Sequence, residues 1–121
     1  MSPSTWIALG ALGGVAAIAR FILDAAISER GGGPFPLGTL AVNLSGAAVL
    51  GLLAGAALSG NARIIVVGGG LGSYTTFSTW MFESQRLGET GRLALLWGNL
   101  GLSLGAGLAA LSIGHLIGGA L

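Results

Sequence analysis

Apolar residues fall in four long blocks, at residues 6–23, 37–58, 64–82 and 93–121, and polar residues gather in the intervals between them. A bilayer's hydrocarbon core of about 30 Å takes roughly 20 residues of helix to cross, so each block is near the length of one span. The intervals are 24–36 with Gly31-Gly32-Gly33-Pro34, the turn Ser59-Gly60-Asn61-Ala62-Arg63, and 83–92. They hold nearly all the charges and turn-forming residues, as connections at a membrane face do. The pattern predicts an all-α integral membrane protein: four transmembrane helices in a single membrane domain over residues 1–121.

The third block differs from the others. It contains Gly68-Gly69-Gly70-Leu71-Gly72-Ser73-Tyr74-Thr75-Thr76-Phe77-Ser78-Thr79-Trp80, and glycine and β-branched threonine are poor helix formers. A break near mid-membrane is expected. Broken backbone at that depth is tolerated only where protein buries it or water reaches it, and its freed carbonyls and half-helix ends are typical ion ligands. A glycine-softened packing helix is the other reading. The hydroxyls of Ser73, Thr75, Thr76, Ser78 and Thr79 favour a polar lining.

Composition agrees with lipid as the solvent. Of 121 residues, 53% are hydrophobic and only 7% charged, with a mean hydropathy of +0.87, whereas soluble domains carry about 25% charged residues. A net charge of +1 is too weakly basic to imply a nucleic-acid partner. Cysteine is absent, which excludes disulfides, thiolate nucleophiles and thiolate metal sites. With four spans, Arg30, Arg86 and Arg92 lie on one side and Arg63 on the other. That bias specifies orientation only weakly and permits insertion either way up. The 24 glycines recur at small-xxx-small spacing in Gly10/Gly14, Gly51/Gly55 and Gly101/Gly105, which lets helix backbones approach closely in lipid. Four spans enclose little interior, so a polar route through the membrane calls for a second copy.

Polar residues inside the spans are the candidate site. Thr39 and Asn43 share one face of the second block, and Asn99 and Ser103 repeat that spacing in the fourth. Two readings stand for them: inter-helix hydrogen bonds, or donors for a passing anion. Arg20, the only cation within a span, is either a charge at a pore mouth or an interfacial anchor that snorkels. Glu83 ends the third block, as a vestibule residue or an exposed carboxylate. His115 is read as a packing residue, and Trp6, Trp97 and Trp80 as aromatic-belt candidates. One histidine and no paired carboxylates within a span leave no catalytic constellation; the chain is not expected to be an enzyme.

Along essentially its whole length the chain resembles the Fluc/CrcB fluoride channels. The residues that carry the resemblance are Gly13-Gly14 followed by Arg20-Phe21, Pro36-Leu37-Gly38-Thr39-Leu40 leading to Val42-Asn43 and Gly46, and Gly72 to Thr79 followed by Glu83. It implies an antiparallel, dual-topology dimer in the plasma (cell inner) membrane, with two pores that passively release cytoplasmic fluoride. It also implies a structural sodium ion in the helix break, held by the backbone carbonyls of Gly72 and Thr75 from each subunit. Asn43 would be a pore donor with Thr39 nearby. Ser78 and Thr79 would continue the polar track, Asn99 and Ser103 would face it, Arg20 would lie in the vestibule and Glu83 near a pore end.

The family places two phenylalanines beside the pore, where ring edges, positive in the quadrupole sense, approach the anion. Phe77 matches the first, but Trp80 stands at the second. That departure raises a heterodimer with a paired homologue as an alternative to the homodimer. A proton-coupled small multidrug transporter is a weaker alternative, since no span centre carries a carboxylate. A non-transporting scaffold subunit leaves the Thr39/Asn43 face and the hydroxyl cluster unexplained.

Overall fold

The computed structural model describes residues 1–121, all helix and connection. Pro3 opens α1 (Pro3–Gly31), where its missing N–H is not needed, and the Ser2 hydroxyl caps it by accepting the Thr5 N–H at 3.3 Å. The helix runs past the apolar block through Asp24 to Gly31 and stops at Gly32, whose φ of 61° is left-handed and whose N–H reaches the Ser28 carbonyl. Hydropathy marks the thickness of lipid; the left-handed glycine marks the end of the helix.

After Pro34 and Pro36 comes α2 (Leu37–Gly55). The third element is in two pieces, α3a over residues 60–74 and α3b (Ser78–Glu89), and α4 (Leu93–Ala120) closes the chain. Within α3a the stretch Ile64–Leu71 is π-helical, a wider winding in which N–H groups reach back five residues. Three helices, α1, α2 and α4, are long and apolar enough to cross a membrane, while the third is broken.

The main packing seam joins α2 to α4. A Cβ added to Gly51 would collide with the Leu111 carbonyl oxygen, one on Gly55 with that of His115, one on Gly114 with that of Ala48, and one on Gly118 with that of Leu52. The four glycines thus interlock reciprocally, each opposite a backbone carbonyl of the other helix. Of the spaced glycines in the sequence, Gly51/Gly55 lie in this seam, whereas Gly10, Gly14, Gly101 and Gly105 meet nothing within the protomer. On the other side, α1 packs along α3a and α2.

Little is buried. Only 14 of the 121 residues are, and Val42 and Leu87 are the only large apolar side chains among them. Trp6, Ile18, Phe21, Leu108 and Leu116 are all more than half exposed. A globule in water buries such residues; this chain faces them outward, as a protein surrounded by lipid or by another copy does.

Candidate functional site

Between Tyr74 and Ser78 the third element loses its helical ladder. Thr75 is extended, with φ −80° and ψ 158°, and the last helical bond runs from the Thr75 N–H to the Leu71 carbonyl at 3.0 Å. Apolar surroundings make an unpaired peptide group costly, by about 1–3 kcal/mol. Asn43 of α2 meets that cost with one side chain. Its Oδ1 accepts the Thr76 N–H at 2.8 Å, and its Nδ2 donates to the Thr76 carbonyl at 2.9 Å. The Thr76 hydroxyl then accepts the Thr79 N–H at 3.2 Å, which caps the start of α3b.

This clamp leaves three groups free. A primary amide has two N–H donors, and Asn43 uses one of them on Thr76. The carbonyls of Gly72 and Thr75 accept no backbone hydrogen bond, because Thr76 and Thr79, whose N–H groups would reach them in a continuous helix, bond elsewhere. An open cleft of about 400 Å³ lies beside the break, lined by Asn43, Gly72, Thr75, Thr76, Phe77 and Trp80 among others. Phe77 is 70% exposed and meets the Trp80 ring edge-on, with centroids 5.6 Å apart and planes at 79°.

Thr39 and Glu83 come together elsewhere. The Thr39 hydroxyl, buried at the start of α2, donates to the Glu83 carboxylate in α3b. Glu83 and Thr79 line a second cavity of about 510 Å³, formed where the connection after α1 meets the segment after α3b, with Arg86 and Arg92 on its wall. The first and third connections therefore share one end of the molecule. Arg86 also sits over the Phe82 ring, 5.9 Å from its centroid.

The remaining candidates are dispersed. Asn99 is 1% exposed, and its Nδ2 donates to the Ser84 hydroxyl at 2.8 Å, while the Ser103 hydroxyl donates to its Oδ1 at 3.4 Å. Ser78 is exposed at the start of α3b, Arg20 is half-buried on α1, and His115 points outward from α4. One residue not singled out in the sequence proves central: Ser84, buried one helical turn after Trp80, while Thr76, expected to act through its hydroxyl, is held by its backbone. Ser84 bonds the Trp80 carbonyl at 2.8 Å. The four-residue spacing of Trp80 and Ser84 was the available signal, since a serine within a helix often bonds back by one turn.

Comparison with known proteins identifies the family. A profile described as CrcB-like protein, Camphor Resistance (CrcB), matches residues 6–115. The chain is 49% identical over 112 residues to the fluoride-specific ion channel FluC 2 of Mycolicibacterium paratuberculosis, spanning 93% of this chain and 92% of that protein. To FluC 2 of Mycobacterium tuberculosis it is 43% identical over 117 residues, with 97% and 93% covered. To FluC 1 of Symbiobacterium thermophilum it is 37% identical over 120 residues, with 94% and 97% covered. The chain is therefore a multi-pass membrane protein that belongs to the CrcB/FluC family of fluoride channels, which are not enzymes.

Proposed function

We propose that the chain is a fluoride-selective channel that lets cytoplasmic fluoride leave the cell passively through the plasma membrane, as an antiparallel dimer with itself. The observation that carries this reading is the cleft beside the helix break, which gathers the Asn43 amide with the rings of Phe77 and Trp80. Fluoride is small and strongly hydrated, so entry requires donors that replace water. The second Asn43 N–H is one. Ring edges of Phe77 offer weaker, positive surface, which holds an anion without trapping it, as conduction requires. Ser78 and Thr79 continue the route along α3b, towards Glu83, Thr39 and the arginine-walled cavity.

The cleft is open on one side, so a protomer alone does not enclose a path, and a second copy would close it. Gly72 and Thr75 suit a structural sodium ion: their carbonyls have no hydrogen-bond donor in this chain, and an isologous contact would bring the same pair from each copy to one axis. Sodium there would fix the two breaks against one another.

Fluoride efflux from liposomes containing this chain alone, with chloride as the control, tests the reading. Electrogenic fluoride flux with chloride excluded is the expected result. Silence that a paired homologue relieves would establish the heterodimer instead, and proton-driven exchange of cations would overturn both.

A further inference from the structure

Trp80 stands where the resemblance to the family implies a second phenylalanine, and the structure gives its indole a definite task. The Nε1–H donates to the backbone carbonyl of Asn99 on α4 at 3.3 Å. A carbonyl has two lone pairs, so it can accept the indole alongside its own helical bond. The Asn99 side chain closes a circuit: its Nδ2 donates to the Ser84 hydroxyl at 2.8 Å, and that hydroxyl donates to the Trp80 carbonyl at 2.8 Å. The Ser103 hydroxyl on Asn99 Oδ1 fixes which way the amide points. Both the ring and the main chain of Trp80 are thereby tied to one buried residue of the neighbouring helix.

Two consequences follow for the cleft. The indole N–H faces a carbonyl and is withdrawn from any anion, so Trp80 presents only its ring. That ring is the aromatic neighbour of Phe77, which is otherwise largely exposed and would be free to change rotamer. We infer that Trp80 is a positioning residue: anchored to α4 through Asn99, it holds the Phe77 ring edge-on beside the Asn43 amide. The effect on transport rests on the channel reading above; the effect on the Phe77 ring does not.

The test places 4-fluorophenylalanine at position 77 and follows its fluorine resonance in the purified full chain, alongside fluoride flux per unit of folded protein. Trp80→Phe keeps an aromatic ring and removes the N–H anchor. The expected result is a shifted and broadened fluorine line and a fluoride flux reduced about fivefold, the weight of one ordinary hydrogen bond. Ser84→Ala, a milder change that opens the circuit at its other side, should move the line in the same direction by less, and it keeps the test available if Trp80→Phe does not fold. An unmoved line in both variants would overturn the inference, whether or not flux falls. If the unaltered chain carries no fluoride, the channel reading fails on its own while the fluorine line still decides whether Trp80 positions Phe77.

Discussion

The α2–α4 seam and the break in the third helix lie on opposite sides of α2, and they are built in opposite ways. In the seam, Gly51, Gly55, Gly114 and Gly118 carry no side chains, and backbone lies directly against backbone. At the break the backbone has lost its own partners, and the side chains of Asn43 and Thr76 replace them, the second by accepting the Thr79 N–H. The seam gains rigidity from dispersion between closely packed atoms, which needs no directionality. The break is held by a few directional bonds, each costly to lose in apolar surroundings. Lipid offers no hydrophobic drive to join helices, so the protein uses shape where backbone meets backbone and hydrogen bonds where the backbone has lost its own partners.

Substitutions that add volume should therefore harm the seam most, and substitutions that remove polar atoms should harm the break. The largest effect is expected from Gly114→Val, which drives a branched side chain into the Ala48 carbonyl. Overpacking against immobile backbone should cost at least about 3 kcal/mol, read as loss of monodisperse protein after detergent extraction. Gly101→Ala, with nothing within 4 Å in the protomer, is the control, and equal yields from the two would break the comparison.

Next is Asn43→Leu, which leaves the Thr76 N–H and C=O without partners and should cost about 2–4 kcal/mol in thermal or denaturant unfolding, two unmet groups at about 1–2 kcal/mol each in a half-buried site. Asn43→Asp sharpens the point: it keeps an acceptor for the Thr76 N–H, so it should unfold later than the leucine variant, yet its negative charge should abolish fluoride flux. Unchanged flux would remove Asn43 from the anion's route.

The smallest effect belongs to Thr76→Val. Only the hydroxyl that accepts the Thr79 N–H is lost, worth about 1 kcal/mol as a helix cap, because the Asn43 clamp uses Thr76's main chain. A loss as large as that of Asn43→Leu would show that the hydroxyl, and not the amide, supports the break.

Sequence reasoning located the helices and the break because both rest on local chemistry: apolar length in one case, glycine and threonine propensity in the other. It placed Asn43 on one face with Thr39 but not against Thr76, since a side chain that bonds backbone 33 residues away leaves no periodic trace. Asn99 was read from its spacing with Ser103 either as an inter-helix hydrogen-bonding residue or as an anion donor, and the structure gives it the first of these, between α3b and α4 with its amide on Ser84. Small-xxx-small spacing marked Gly51/Gly55 correctly as a close approach, yet it also marked Gly10/Gly14 and Gly101/Gly105, which are open in the protomer. Spacing shows where a backbone can be approached; only the partner helix decides where it is. Trp80 was legible as a departure from the family pattern, but the destination of its N–H depends on how α3b leans on α4.

The π-helical stretch at Ile64–Leu71 sets the phase of everything that follows it. An α-helix turns about 100° per residue, and a winding that takes an additional residue per turn lags behind it, so the stretch rotates the break relative to the helix that leads into it. In α3a the glycines permit this wider winding, with Gly69 against Leu9 of α1 and Ser73 against Gly13 four residues on. Removing a single residue from Gly68-Gly69-Gly70 would change no polar side chain in the site, yet it would turn the hydroxyl run away from Asn43. The reading frame of the cleft is thus set by the count of glycines upstream of it.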